Sequence, residues 1–121
     1  MTARAAEALR QRVFEALADP TRRAIMDGLA DRGPHTATEL AAGLPISRPA
    51  VIKHLRALER AGLVRSRKQG RDNRFRVDPR PLTASLTWMY ALSARWDERL
   101  EHLEDGLRGS PGRPAGTFRR Q

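Results

Sequence analysis

Residues 46–77 read ISRPAVIKHLRALERAGLVRSRKQGRDNRFRV, and the fold is decided there. Ser47 is a good N-cap, because its hydroxyl can accept from an amide of the first turn that has no helical partner. Pro49 fits that turn, where a missing N–H costs nothing. Val51, Leu55 and Leu58 then recur at the spacing of one buried helical face. At about 100° per residue the opposite face carries Pro49, Lys53, Arg56 and Arg60, with Ile52 on its flank. Gly62 ends the helix. Leu63–Lys68 and Asn73–Val77 alternate as two strands about Gln69-Gly70-Arg71-Asp72. Val64, Phe75 and Val77 can face a core, while Arg65, Arg67, Arg74 and Arg76 face outward and Arg71 stands at the tip. A capped basic helix running into a basic hairpin buries one face and presents cations on the other, the electrostatic footprint of a double-helix reader.

The flanking segments complete a pattern. Thr36-Ala37-Thr38-Glu39 matches a capping box, which predicts a short helix over about 36–42 burying Leu40 and Ala41 and stopped by Gly43. Leu44-Pro45-Ile46 turns the chain into the 47–61 helix. Upstream, Asp19-Pro20 caps and starts a helix over 20–31 that buries Ala24, Ile25 and Leu29, and Gly33-Pro34 breaks it. A first helix over 3–18 is marked by Leu9, Val13 and Leu17, with Phe14 beside them. Downstream, Asp78-Pro79-Arg80-Pro81 leads into a long helix over about 80–108. Its stripe of Leu82, Leu86, Met89, Trp96, Leu100, Leu103 and Leu107 is close to a heptad. Helix, tight turn, helix and hairpin in this order predict a mainly α, winged helix-turn-helix fold of five helices with a β-hairpin wing. Residues 1–108 form the domain, and 109–121 (GSPGRPAGTFRRQ) have the composition of a disordered basic tail.

Charge is concentrated where this pattern needs it. The chain of 121 residues, one ordinary domain in length, carries a net charge of +9. Ten basic residues against three acidic ones lie within 34–77, whereas 78–108 is slightly acidic. Such a local excess points to a polyanionic partner rather than to solubility alone. With no cysteine there is no disulfide framework, thiol nucleophile or thiolate metal site. No apolar run approaches the ~18 residues of a membrane span, and residues 1–18 are too charged for a secretory signal, so a cytoplasmic location is expected.

FEALADPTRRAIMDGL at 14–29, TELAAGLPISRPAVIKHLRALERAGLV at 38–64 and FRVDPRPL at 75–82 resemble the ArsR-type winged helix-turn-helix repressors. Trp88 and the cluster from Trp96 to Leu100 resemble a cysteine-less branch that includes SdpR-like autorepressors. The resemblance implies a homodimer joined by the first and last helices, repressing from a palindromic operator, often near the regulator's own gene. On these residues the dimer seam draws on Leu9, Val13, Leu86, Met89, Trp96, Leu100 and Leu103. The resemblance carries DNA reading to Ser47, Arg48, Pro49, Ile52, Lys53 and His54, with Arg71 and Arg74 from the wing. The basic helix face and hairpin add Arg56, Arg65 and Lys68. Position 52, commonly small and polar in such helices, is Ile52 here: it can pack on a thymine methyl, or tilt into the core beside Leu55.

Other chemistries are less well served. The segment where relatives hold thiolates reads Glu39-Leu40-Ala41-Ala42-Gly43. A last-helix zinc site would have His102, Asp105 and Glu98, but Met89 and Ala91 stand where its upstream ligands belong, so no metal or other cofactor is expected. His35 reads as a solvated loop residue and His54 as a hydrogen-bonding one. Trp88, Tyr90 and Trp96 read as packing residues before they read as an effector pocket. Without cysteine, a glycine-rich phosphate loop or a supported Ser/His/Asp motif, the chain is not expected to be an enzyme. The expected partners are double-stranded DNA and a second copy of the chain, with no membrane. An effector- or metal-responsive repressor and a nonspecific architectural protein are the rival readings.

Overall fold

Side-chain caps fix where most of the helices begin. The computed structural model describes residues 1–108, in the order α1 (Ala3–Leu17), α2 (Pro20–Arg32), β1 (His35–Thr36), α3 (Ala37–Ala42), α4 (Arg48–Arg60), β2 (Val64–Gln69), β3 (Asp72–Val77) and α5 (Arg80–Arg108). The disordered tail expected at 109–121 lies outside the described residues. Asp19 accepts from the amides of Thr21 and Arg22 at 2.7 and 3.3 Å, with Pro20 in the first turn of α2. Its burial pushes the carboxyl pKa up, but those two amides and the charge of Arg22 outweigh that and leave it below the usual range. The capping box at α3 is complete: Glu39 N–H donates to Thr36 Oγ1 at 3.1 Å, and Thr36 N–H donates to Glu39 Oε1 at 2.9 Å. Ser47 Oγ accepts from Ala50 N–H at 3.3 Å and starts α4. Gly62 ends α4 with φ of 77°, and Leu63 N–H reaches back to Leu58 O at 3.0 Å, a Schellman closure.

The chain divides into two compact units, residues 1–85 and residues from 86 onward. In the first, Val51, Leu55 and Leu58 of α4 are fully buried together with Val13, Ile25, Leu63 and Val64, so α4 is the central element of the core. The sheet has the order β1-β3-β2 and is antiparallel throughout. Register pairs Val64 with Val77 and Ser66 with Phe75, which puts Val64, Phe75 and Val77 on the core side, and pairs Arg65 with Arg76 and Arg67 with Arg74 on the other. The two residues between Gln69 and Asp72 make the wing tip, and Gly70, with φ of 64°, takes the left-handed conformation such a turn requires.

Four expectations are corrected. Ala24 is exposed, and Met26, two residues further along the helix, is buried in its place. Ala41 is only half-buried, and α3 instead buries Ala37 with Leu40. His35, expected in a loop, sits in β1 opposite Phe75, and its Nδ1 donates to Gly33 O at 2.6 Å. Val13, expected at a dimer seam, is 1% exposed within its own unit and has almost no surface to offer a second copy. Leu9 keeps part of its surface.

In the second unit α5 presents an apolar stripe to solvent. Leu86 and Met89 are each 48% exposed, Trp96 55% and Leu103 59%; Leu100 is half-buried. Arg99 lies over the Trp96 ring, 5.7 Å from its centroid.

Candidate nucleic-acid interface

The outward ridge of α4 is built as the periodicity requires. With Val51, Leu55 and Leu58 turned inward, Pro49, Lys53, Arg56 and Arg60 are exposed along the opposite side. Arg48 in the first turn donates from Nε to Thr38 Oγ1 at 3.0 Å, which fixes the start of α4 against α3. Ile52 is half-buried and packs against the core. It also lines a recess of about 110 Å³ between the start of α3, the flank of α4 and the wing. That recess gathers Arg48, Ile52 and Arg56 from α4 with Arg71 from the wing tip, beside Thr38 of α3. Two elements, α4 and the wing, therefore bring three of the expected DNA-contacting cations to one concavity.

Hydrogen bonds sort the remaining cations. Arg56 pairs with Glu59 at 2.9 Å and lies over the Phe75 ring at 5.9 Å. Burial pushes the Glu59 carboxyl up, but the Ser66 hydroxyl, donating at 2.7 Å, and Arg56 hold it below the usual range. Arg74 reaches Glu39 at 3.4 Å, and the Thr36 amide, more than Arg74, keeps that carboxyl low. Arg65 turns to Asp78 at 2.9 Å at the base of the wing, so this cation, expected on phosphate, has a partner inside the protein. His54 accepts at Nδ1 from Arg22 Nε at 3.3 Å, which turns one ring nitrogen toward α2. Ser47 spends its hydroxyl on the α4 cap. Lys53, Arg67, Lys68, Arg71 and Arg76 make no ion pair among the described residues. The sequence reading missed Thr38 and Arg22 as the groups that position Arg48 and His54. The capping box marked the start of α3, but nothing local in the sequence says which side chain reaches across to another helix.

Among the described residues no three His, Cys, Asp or Glu side chains gather as a metal site, and no helix is long and apolar enough to cross a membrane.

A helix-turn-helix domain model matches residues 17–67, which span α2 to β2 and contain the whole helix pair. The HTH-type transcriptional regulator Rv2034 of Mycobacterium tuberculosis is 46% identical over 87 residues, covering 68% of this chain and 80% of that protein. The transcriptional repressor SdpR of Bacillus subtilis is 33% identical over 88 residues, covering 73% and 97%. Among solved structures, an ArsR-like transcriptional regulator from Rhodococcus sp. RHA1 superposes with a TM-score of 0.74 at 39% identity, covering 82% of this chain and 92% of that one. These likenesses run through the capped α4, the turn before it and the wing after it, and with that architecture the chain belongs to the ArsR family of winged helix-turn-helix transcriptional regulators.

Proposed function

We propose that the protein represses transcription as a homodimer that occupies a palindromic operator, reading it with the first turns of α4 and clamping it with the wing. The carrying observation is the juxtaposition of Arg48 and Arg56 of α4 with Arg71 of the wing tip around one recess, beside the exposed Lys53 of the same helix. Lys53 can reach a guanine edge or a phosphate, and Ile52, half-buried, keeps only part of its side chain for a thymine methyl. Lys68, Arg71 and Arg74 are assigned to phosphates, which set affinity and register but not sequence. A second copy is favoured by the exposed stripe of α5, since Leu86, Met89, Trp96 and Leu103 recur along one helix as large exposed apolar side chains, the kind of surface that marks an interaction site. A twofold axis would then set two α4 helices about one helical turn of DNA apart. No chemical step is assigned to any residue.

Footprinting on the DNA that flanks its own gene, followed by titration of that site and of random duplex at one salt concentration, tests this reading. A protected inverted repeat bound roughly 10³-fold or more tighter than random duplex is expected. Equal affinity for both would replace the repressor with a nonspecific DNA-coating protein.

A further inference from the structure

The recognition helix has two flanks, and the wing covers one. A helix about 10–12 Å across, seated in a major groove about 12 Å wide, has a sugar–phosphate strand along each side. On the flank away from the wing, α4 turns Ala57 toward α1 and α2, where a shallow cleft of about 590 Å³ opens. Ala16, Ala57 and Ala61 line it without filling it, and Arg12 of α1, Arg22 of α2 and Arg60 of α4 supply three guanidinium groups. The side chains of Arg12 and Arg60 make no hydrogen bond or ion pair among the described residues, and Arg22 uses only its Nε, on His54. The one carboxylate in the cleft, Glu15, accepts from Gln11 at 3.0 Å and pairs with no arginine.

Three guanidinium groups line the cleft against the single carboxylate of Glu15, so the cleft keeps an excess of positive charge that a polyanion offsets. Position selects which polyanion. Arg60 continues the same outward ridge as Lys53, about 10 Å further along the axis. With the N-terminal half of α4 in the groove, its C-terminal half must leave over the strand that bounds the groove on that side. We propose that the Arg12–Arg22–Arg60 cleft is a second phosphate-binding site, gripping the DNA strand opposite the one held by the wing. This rests on the DNA-binding reading above and adds α1 and α2 to the footprint.

The test titrates full-length protein with two duplexes, the DNA flanking its own gene and a random sequence, across a salt series. Arg12→Gln combined with Arg60→Gln should weaken both duplexes by a similar factor, about tenfold or more at low salt. The log–log salt slope should flatten by roughly one unit per lost contact, or about two to four per dimer. Glu15→Gln should tighten both duplexes, on the order of twofold, by removing a like charge from the strand's path. That gain of affinity also decides the matter if the double arginine variant fails to fold. Wild-type affinity and slope in the double variant, or no tightening in Glu15→Gln, overturns the proposal. It is equally overturned if inorganic pyrophosphate saturates the cleft at matched ionic strength without displacing DNA, or if the double variant only dissociates the dimer in light scattering. A parallel Arg71→Gln, Arg74→Gln variant separates the two readings. If it weakens binding while the cleft variant does not, the cleft fails and the DNA-binding reading stands. If neither the wild type nor any variant binds duplex, both fail.

Discussion

Arg65 and Asp78, thirteen residues apart in the chain, meet at 2.9 Å and close the base of the wing. Asp78 also accepts from the Arg80 side chain at 2.7 Å and from the Arg80 amide at 3.1 Å, while its own N–H donates to Leu63 O at 2.8 Å. One nearly buried carboxylate thus joins β2 and the end of β3 to the first turn of α5. The Arg80 side chain and then its amide, against the opposing effect of burial and with help from Arg65, hold that carboxyl far below the ordinary carboxylate range. In the unfolded chain the group titrates near 3.8. Its contribution to stability is therefore complete above that value and is lost as pH falls below it toward the folded value. Asp78→Asn should lower the melting temperature at neutral pH, and the gap from wild type should narrow as pH drops below about 4. Thermal melts of both proteins across pH check this, and a gap that stays constant into acid would remove Asp78 from the acid limb.

Arg71 and Arg65 should separate in their effects although both are wing arginines. Arg71 has no internal partner among the described residues, so Arg71→Ala should leave the melting temperature unchanged and flatten the salt slope by about one unit per lost contact. Arg65→Ala breaks the Asp78 contact and should lower the melting temperature, with a smaller effect on DNA. The reverse pattern in paired melts and titrations would relocate the phosphate clamp to the wing base.

Ile52 and Lys53 should likewise part company. Lys53→Ala removes an exposed cation and should cost on the order of 1–3 kcal/mol on the operator, with folding intact. Ile52 packs partly on the core, so Ile52→Ser should cost about 1–2 kcal/mol of stability as well as any base preference it confers. Stability and half-site selectivity measured on the same Ile52→Ser sample decide between packing and reading.

Leu100→Glu with Leu103→Glu places two charges in the apolar stripe of α5 and should convert the proposed dimer to monomer. Light scattering at a concentration where the wild type is dimeric shows the change, and an unaltered dimer mass would move the interface off α5. Val13→Ala, by contrast, should leave the assembly alone and destabilise the protomer by roughly 1–3 kcal/mol, since Val13 lies in the core.

How much was legible in the sequence differs by kind of interaction. The helix starts at Asp19, Thr36 and Ser47 and the stop at Gly62 were all readable, because caps act within a few residues and leave a local signature. The buried face of α4 was readable for the same reason, and the hairpin strands came out within one residue of where they begin. β1 was not, because two residues, His35 and Thr36, carry no alternation of their own and become a strand only by pairing with β3. Ala24 and Met26 were exchanged because which edge of α2 meets α4 depends on packing, not on period. The site followed the same division. The cations of 48–76 could be found by counting charge, but whether each faces Asp78, Glu59, Glu39 or solvent is settled by partners up to 35 residues away.

The sheet order β1-β3-β2 leaves β2 as an open edge, with unpaired backbone groups along one side. Such an edge is a template on which another strand can add. Two copies pairing there would set the exposed Arg67 and Lys68 of one close to the cations of the other, a like-charge juxtaposition that opposes such pairing. Stripping that strand of charge should therefore make a ribbon that associates with itself, most of all at high salt, where the remaining repulsion is screened.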